Sequence, residues 1–201
     1  KEVTPFVRAL DCASSTSYSA SFYRNKAEHT AKNGNLRLKM NTSLLQKHNC
    51  ELRSFTVENL SRKESLDGRL IIYFEPCIEK RSAFISHPMY SKLFLIDEYD
   101  NENKCVLFSR RSSASESGCA LAVGIIENTG FECETSRERV LRSPNGIFSL
   151  GKKTDFRSER GNPDCCAAFS VKINLAPGKK QSYTLGIAAA ESKEQALNVL
   201  L

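Results

Sequence analysis

Apolar and polar residues alternate with a period of two in several separate segments of this 201-residue chain, most clearly at residues 36–40, 171–175 and 183–187. A period of two sends successive side chains to opposite faces of a β-strand, so that one face is buried and the other meets water. Turn-forming residues separate these segments, as at residues 33–34 and 176–180. The pattern predicts strands that form antiparallel sheets.

The individual segments refine this prediction. Residues 70–74 form a continuous apolar run, which is typical of a strand covered on both faces. Between residues 50 and 57 the apolar positions change phase once, and a β-bulge accounts for such a change. Hairpins are expected at residues 33–34, between residues 94 and 108, and between residues 171 and 187. So many strands predict a mainly β fold, a large antiparallel β-sandwich of two packed sheets.

The last ten residues are the only segment with a clear helical pattern. Ser192 and Gln195 form a capping box. An apolar stripe follows at Ala196, Leu197, Leu200 and Leu201. The stripe has no evident partner, which favours a domain downstream, and a first residue other than Met favours a chain that is part of a longer protein. We therefore expect a sandwich over residues 1–190 and the start of a linker helix over residues 191–201.

Charge and hydropathy argue against two classes of partner. The chain has 29 Lys and Arg against 23 Asp and Glu, a net charge of +6. The basic residues are scattered pairs rather than a stripe along one element, so we expect no nucleic-acid partner. The longest apolar run, residues 119–126, is far shorter than the roughly 20 residues that span a bilayer, so we expect no membrane span.

Cysteine and histidine supply no recognisable metal site. The eight Cys include no Cys-x-x-Cys pair, and the three His include no His-x-x-x-His. The spacing of the cysteines favours reduced thiols in the core of a cytoplasmic protein over a disulfide framework. No metal and no cofactor are predicted.

No catalytic motif stands out either. Neither a Gly-x-Ser-x-Gly elbow nor a Gly-rich phosphate loop is present. The acidic segment at residues 97–100 can supply paired carboxylates for glycoside chemistry, and it can equally be the polar end of a hairpin. We assign no catalytic residue.

Several segments form a recognisable series: residues 87–94 (HPMYSKLF), 98–100 (EYD), 106–111 (VLFSRR), 134–141 (ETSRERVL), 175–178 (LAPG) and 190–197 (AESKEQAL). In this order they resemble the non-catalytic β-sandwich of glycoside hydrolase family 94, and the resemblance runs from about residue 27 to the end. The resemblance is closest to 1,2-β-oligoglucan phosphorylases and to the C-terminal region of cyclic β-1,2-glucan synthases. It implies a supersandwich that is followed by a helical linker and an (α/α)6 catalytic barrel.

The resemblance also implies a function. Members of the family phosphorolyse β-glucosidic bonds with inversion and release α-glucose 1-phosphate, with inorganic phosphate as co-substrate and no further cofactor. The acid and the phosphate-holding residues lie in the barrel, so this segment alone is expected to be inactive. Its expected partners are the downstream barrel, a second copy in a homodimer and a β-glucan oligosaccharide.

Three residues are candidates for the rim of a sugar cleft. Arg110 and Arg111 begin a long polar loop, residues 109–118, and guanidinium groups bind phosphate or sugar hydroxyls bidentately. The alternative is a solvated hairpin end with an arginine paired to Glu116. His87 begins a Pro-fixed turn, which either touches sugar or anchors Tyr90 and Phe94 in the core.

A free-standing carbohydrate-binding module is the alternative function. Such modules stack exposed Trp or Tyr on sugar faces, and this chain has no Trp and six Tyr.

Overall fold

The computed structural model describes residues 16–45, 47–110, 118–127, 130–142 and 162–201. The strands are β1 (Thr16–Phe22), β2 (Lys26–Asn33), β3 (Leu36–Leu44), β4 (Cys50–Asn59), β5 (Leu66–Phe74), β6 (Leu95–Asp100), β7 (Cys105–Arg110), β8 (Ala120–Ile125), β9 (Phe131–Ser136), β10 (Cys165–Leu175) and β11 (Lys180–Ala190). The helices are α1 (Arg81–Ser86), α2 (Pro88–Lys92), α3 (Arg137–Arg142) and α4 (Lys193–Leu200). None of these helices is long and apolar enough to cross a membrane.

The strands build two antiparallel sheets. The large sheet has eight strands in the order β1-β2-β3-β4-β11-β8-β7-β6, and the small sheet has three in the order β5-β10-β9. Phe55, Tyr183 and Leu185 from the large sheet share one buried core with Ile72 and Phe169 from the small sheet. The prediction of a mainly β, antiparallel sandwich with a C-terminal helix is confirmed.

Strand β4 buries different faces along its length. Phe55 and Val57 lie in the core between the sheets, whereas Cys50 and Leu52 pack in a second apolar cluster with residues of α4. The register of β4 with β3 and with β11 continues unbroken along the strand. The predicted β-bulge is therefore wrong. The apolar positions change phase because α4 covers the opposite face of the large sheet beside the first half of β4.

The connection between β10 and β11 joins the two sheets. Strand β10 is central in the small sheet and β11 is central in the large sheet, so the predicted hairpin between residues 171 and 187 is wrong. Ile173 and Tyr183 both point into the core between the sheets. Two strands that each bury one face alternate in the same way whether they pair within one sheet or face each other across a core.

The other two predicted hairpins are confirmed. Strands β2 and β3 pair across a turn in which Gly34 adopts a φ of 57°, the left-handed region that glycine enters without a Cβ penalty. Strands β6 and β7 pair across a turn where the Asp100 carboxylate accepts hydrogen bonds from the backbone N–H groups of Glu102 and Asn103.

Residues 70–74 are covered on both faces, as their continuous apolar run predicts. Leu70 and Ile72 lie in the core between the sheets. Ile71 and Tyr73 point the other way and pack against a third cluster that includes Val140 of α3. Helix α3 therefore covers part of the outer face of the small sheet.

Helix α4 packs on the outer face of the large sheet. Ala196 and Leu200 are buried in the second apolar cluster, so the expectation that the apolar stripe lacks a partner within the chain is wrong for these two residues. The Ser192 hydroxyl accepts a hydrogen bond from the N–H of Gln195 at 3.2 Å, which confirms Ser192 as the N-cap.

Replacing Ser192 by alanine is expected to lower the free energy of unfolding by about 1 kcal/mol, because one N–H of the first turn loses its acceptor. Urea unfolding followed by circular dichroism measures the change. Ser192→Asp keeps an acceptor at the cap and is expected to restore most of the loss. An alanine variant as stable as the parent chain would contradict the assigned cap.

Candidate functional site

The structure places two of the three predicted site residues at one end of the sandwich. Arg110 is the last residue of β7, and its backbone pairs with Leu95 at the start of β6. His87 lies between α1 and α2, a few residues before β6. Arg111 lies outside the described residues. The predicted rim is therefore the end of the sandwich where α1 and α2 precede β6.

Arg110 is held by the segment that leads into α1. Its guanidinium forms an ion pair with Glu79 and donates a hydrogen bond to the carbonyl of Ile78 at 3.3 Å. It also lies 5.4 Å from the centre of the Phe94 ring, a cation–π distance. Glu79 is thus an acidic partner of Arg110, and a ligand that recruits this guanidinium has to compete with that carboxylate. The predicted alternative partner of an arginine, Glu116, lies outside the described residues.

The turn at His87 is built from backbone contacts. The His87 carbonyl accepts hydrogen bonds from the N–H groups of Tyr90 at 3.1 Å and Ser91 at 3.2 Å, which starts α2. The rings of Tyr90 and Phe94 meet edge to face at 5.1 Å. Tyr90 is nevertheless 60% exposed, so the expectation that the turn anchors this residue in the core is wrong.

Helices α1 and α2 together present an exposed apolar surface. Its members, which we call the α1–α2 surface, are Phe84, Ile85, Tyr90 and Leu93, and none of them is buried. Helix α1 itself has no buried residue. Side chains of this kind on neighbouring short helices are typical of a surface that another protein or domain covers.

A cluster of oppositely charged side chains anchors the C-terminal end of α2, at Lys92. Glu75 contacts Lys92 at 2.5 Å and Arg137 at 2.9 Å, and Asp164 contacts Arg137 at 3.1 Å and Lys92 at 3.4 Å. The Tyr73 hydroxyl donates a further hydrogen bond to Glu75 at 2.7 Å. This ionic cluster ties α2 to β5, α3 and the start of β10.

The pKa of Glu75 is strongly perturbed by its neighbours in the ionic cluster. Partial burial by itself raises the pKa of Glu75, but hydrogen bonds from Lys92, Tyr73 and Arg137 outweigh that effect and lower the pKa to about 2 from its ordinary value of 4.5. A carboxylate whose pKa is depressed in the folded state stabilises the fold while it is ionised.

The stability of the chain is expected to depend on this carboxylate at acidic pH. Because the folded pKa of about 2 lies below the ordinary value of 4.5, the contribution of Glu75 is present above pH 4.5 and disappears as the pH falls towards 2. Thermal unfolding of Glu75→Gln and of the parent chain between pH 2 and 7 measures it. The two melting temperatures are expected to differ at pH 7 and to converge near pH 2.

The control for this titration is Glu64→Gln, since Glu64 is exposed at a turn remote from the ionic cluster. Its melting temperature is expected to follow that of the parent chain at every pH. A constant offset between Glu75→Gln and the parent chain from pH 7 to pH 2 would contradict the role of Glu75 ionisation.

Each carboxylate of the acidic segment at residues 97–100 makes a contact within the fold. Asp97 is fully buried, and its two oxygens accept hydrogen bonds from the backbone N–H and the side-chain amide of Asn162, both at 2.7 Å. The Asn162 amide also donates to the Thr135 hydroxyl at 2.9 Å. Glu98 contacts Lys193 at 2.9 Å and so ties β6 to α4. The segment acts as the hairpin end and inner anchor of β6.

An open cavity of about 860 Å³ lies where β3 and β11 end and β4 begins, beside the turns that follow β1 and β3. It is lined by Arg24, Asn25, Leu44, Leu45, Lys47, His48, Asn49, Cys50, Glu51, Ile187 and Ala189. Its described wall holds Arg24, Lys47 and His48 against one acid, Glu51, and no Trp, Tyr or Phe ring. The sequence does not predict this cavity, because its lining comes from three separate segments of the chain, at residues 24–25, 44–51 and 187–189.

The described cysteines are free thiols. Those at positions 50, 105, 133, 165 and 166 are buried and those at positions 77 and 119 are exposed, whereas Cys12 lies outside the described residues. Burial raises the pKa of the Cys105 and Cys165 thiols to about 12, as expected for thiols that pack as small hydrophobes. In the same described part of the chain, no three His, Cys, Asp or Glu side chains are grouped so that they could hold a metal ion.

The fold resembles that of a solved structure at very low sequence identity. A bacterial glucoamylase complexed with acarbose matches with a TM-score of 0.61 and 8% identity, over 93% of this chain and 25% of the glucoamylase chain. Heparan sulfate lyase HepC from Pedobacter heparinus matches with a TM-score of 0.45 and 10% identity, over 89% of this chain and 22% of its own. This chain thus spans about a quarter of the glucoamylase. A search of curated protein sequences finds no match.

The family comparison covers nearly the whole chain. The family model described as "Glycosyl hydrolase 94, supersandwich domain" matches residues 4–201. The match agrees with the two-sheet antiparallel sandwich and its C-terminal helix. The chain therefore belongs to glycosyl hydrolase family 94, as its supersandwich domain.

Proposed function

We propose that this domain is the non-catalytic sandwich of an inverting glycoside phosphorylase that acts on β-glucans, within the 1,2-β-oligoglucan phosphorylase and cyclic glucan synthase branch. The observation that carries the proposal is the match of the family 94 supersandwich to residues 4–201. The motif order from residue 87 to residue 197 supports the branch. The sandwich would serve an (α/α)6 catalytic domain of the same protein.

The proposed reaction assigns no chemical step to this domain. Inorganic phosphate attacks the anomeric carbon of a β-linked glucose from the face opposite the leaving oxygen, while an acid in the catalytic domain protonates that oxygen. The C–O bond to the leaving sugar breaks, a C–O bond to phosphate forms, and the configuration inverts to α-glucose 1-phosphate. Phosphate is the nucleophile, so the reaction uses no nucleophilic side chain.

The α1–α2 surface supports a packing role towards the catalytic domain. Ile85 is 67% exposed and Leu93 is 60% exposed, although both are large aliphatic side chains. The ionic cluster beneath α2 holds this surface in place through Lys92. We infer that the catalytic domain covers the α1–α2 surface, which lies beside Arg110 and so brings the proposed rim towards the sugar cleft.

An activity assay on the full-length parent protein tests the proposal. Incubation with β-1,2-glucooligosaccharides and inorganic phosphate is expected to release α-glucose 1-phosphate in a strictly phosphate-dependent reaction. The 201-residue chain alone is expected to release none. Release of free glucose without phosphate consumption would show a hydrolase and would contradict the proposed reaction.

The proposed rim role of Arg110 and Arg111 has its own test. Replacing both by alanine in the full-length enzyme is expected to lower kcat/KM for phosphorolysis by roughly ten-fold, the effect of losing one or two charge-assisted hydrogen bonds to substrate. Arg62→Ala, at an exposed turn between β4 and β5, is the matched control. Kinetics equal to those of the parent enzyme would remove the rim role from both arginines.

A free-standing carbohydrate-binding module is the second candidate, and the 860 Å³ cavity is the observation that favours it. Asn25 and Asn49 in its wall offer amide groups to sugar hydroxyls, but the described part of the wall has no Trp, Tyr or Phe ring on which a sugar could stack. Calorimetric titration of the 201-residue chain with β-1,2-glucan oligosaccharides separates the two candidates. Binding at millimolar concentration or tighter would favour the module, and no binding would favour the scaffold.

A further inference from the structure

Two positive charges at the 860 Å³ cavity have no acidic partner among the described residues. Arg24 and Lys47 line its wall, and in the part of the chain that the structure describes neither side chain makes a hydrogen bond or an ion pair. Glu51, the acid of the described wall, forms an ion pair with Arg53, which is not among the lining residues. His48 adds an imidazole as a further hydrogen-bond donor. The described wall therefore has an excess of positive charge, which attracts anions.

The backbone around the cavity is held by hydrogen bonds. In the turn after β1, the N–H of Tyr23 donates to the carbonyl of Lys26 at 2.8 Å. In the loop between β3 and β4, the N–H of Leu45 donates to the carbonyl of Cys50 at 3.0 Å. Lys26 pairs with Ser43 in the register of β2 with β3, so the turn and the loop adjoin at one end of the large sheet. The basic side chains thus extend from anchored backbone, which lowers the entropy cost of gathering them around a ligand.

The rest of the described wall suits a sugar. Asn25 and Asn49 offer amide groups to hydroxyls, and Leu44 and Leu45 are 69% and 39% exposed. Exposed leucines can pack against the C–H faces of a sugar ring. The described wall has no Trp, Tyr or Phe ring on which a nucleobase would stack. A volume of 860 Å³ is that of a small-molecule site, for which roughly 300–1,000 Å³ is usual.

We propose that the cavity binds a sugar phosphate, with the phosphate dianion held by Arg24 and Lys47. The amide groups of Asn25 and Asn49 then face the sugar hydroxyls. A guanidinium holds phosphate oxygens bidentately and an ammonium adds a compact charge, so the two side chains complement each other on one dianion. A neutral glucan leaves both cations unused, which distinguishes this ligand from that of a carbohydrate-binding module. The proposal can fail while the phosphorylase function stands, since it involves neither the α1–α2 surface nor Arg110.

Calorimetric titration of the 201-residue chain tests the ligand class. The chain is titrated separately with α-glucose 1-phosphate, which is the product of the proposed reaction, and with glucose 6-phosphate. The tighter of the two is expected to bind with a dissociation constant on the order of 0.1–1 mM, and it shows which sugar phosphate the cavity prefers. Glucose and inorganic phosphate each carry one half of the ligand, and both are expected to bind at least about ten-fold more weakly.

Substitutions in the wall test the location. Arg24→Ala and Lys47→Ala are each expected to weaken binding of the tighter sugar phosphate by about ten-fold, because each removes a charge-assisted contact. Their melting temperatures are expected to stay unchanged, since both side chains are exposed. Lys32→Ala is the matched control, because Lys32 is exposed near the opposite end of β2. It is expected to bind as the parent chain does.

Three results would each overturn the proposal. They are no detectable binding of either sugar phosphate, an equal affinity for glucose or for inorganic phosphate, and an unchanged affinity in both alanine variants. Phosphorolysis by the full-length parent protein is measured separately and decides the proposed function.

Discussion

Replacing Phe169 by alanine is expected to lower the free energy of unfolding by about 3–5 kcal/mol. The side chain is fully buried in β10, the central strand of the small sheet, and its ring meets that of Phe131 edge to face at 5.5 Å. Removing the ring leaves a cavity between the two sheets, because neighbours anchored in β-strands relax only in part. Guanidinium chloride unfolding of the 201-residue chain measures the change.

The matched control for this variant is Phe84→Ala. Phe84 lies on α1 and is 37% exposed, so its truncation is expected to change the free energy of unfolding by less than about 1 kcal/mol. Equal effects of the two substitutions would contradict the assignment of Phe169 to the core and of Phe84 to the α1–α2 surface.

Replacing Asp97 by alanine is expected to lower the free energy of unfolding by about 2–4 kcal/mol. The backbone N–H of Asn162 loses its Asp97 acceptor, and the Asn162 side-chain amide loses one of its two acceptors and keeps the Thr135 hydroxyl. The variant also releases the chain just before β10, where Asn162 is anchored. Thermal unfolding and hydrogen exchange of β6 and β10 amides measure both effects. Asp97→Asn keeps one acceptor oxygen and is expected to lose about half as much.

Asp67→Ala is the matched control for the buried carboxylate. Asp67 accepts one hydrogen bond from Asn174 at 2.7 Å, but this pair is exposed and water can replace it. A loss of under about 1 kcal/mol is therefore expected. If Asp97→Ala costs no more than Asp67→Ala, the buried contacts of Asp97 do not stabilise the fold.

Local alternation was enough to predict the strands but not the way they pair. The period of two at residues 36–40 places β3 correctly, and the turn at residues 33–34 places its hairpin with β2. The same alternation before and after residues 176–179 predicted a hairpin. The chain instead passes from one sheet to the other at this point. The side-chain pattern is the same for a hairpin and for a connection between sheets. Strand pairing depends on backbone hydrogen bonds, which do not change the order of apolar and polar residues.

The change of phase in β4 shows a second limit. A bulge and an unbroken strand covered on both faces predict the same apolar positions at Cys50, Leu52, Phe55 and Val57. Only the packing of α4 on the outer face distinguishes them, and α4 lies more than a hundred residues further along the chain. A long-range contact of this kind cannot be deduced from a local window.

The sequence predicted where the candidate site lies but not the contacts that build it. The resemblance at residues 87–111 directed attention to the end of the sandwich that holds Arg110 and His87. The partners Glu79 and Phe94, and the ionic cluster around Glu75 and Lys92, come from segments separated in sequence. The α1–α2 surface escaped notice because helices of six and five residues are too short to show an amphipathic period.

We propose that this domain acts by supporting a separate catalytic domain of the same protein. The decisive experiment produces the proposed catalytic domain without residues 1–201 and measures release of α-glucose 1-phosphate with and without this chain added in trans. We expect the catalytic domain alone to be nearly inactive, the added chain to restore activity, and an Ile85→Lys chain, altered on the α1–α2 surface, to restore much less. A catalytic domain that is fully active and equally stable without this chain would contradict the proposed supporting role.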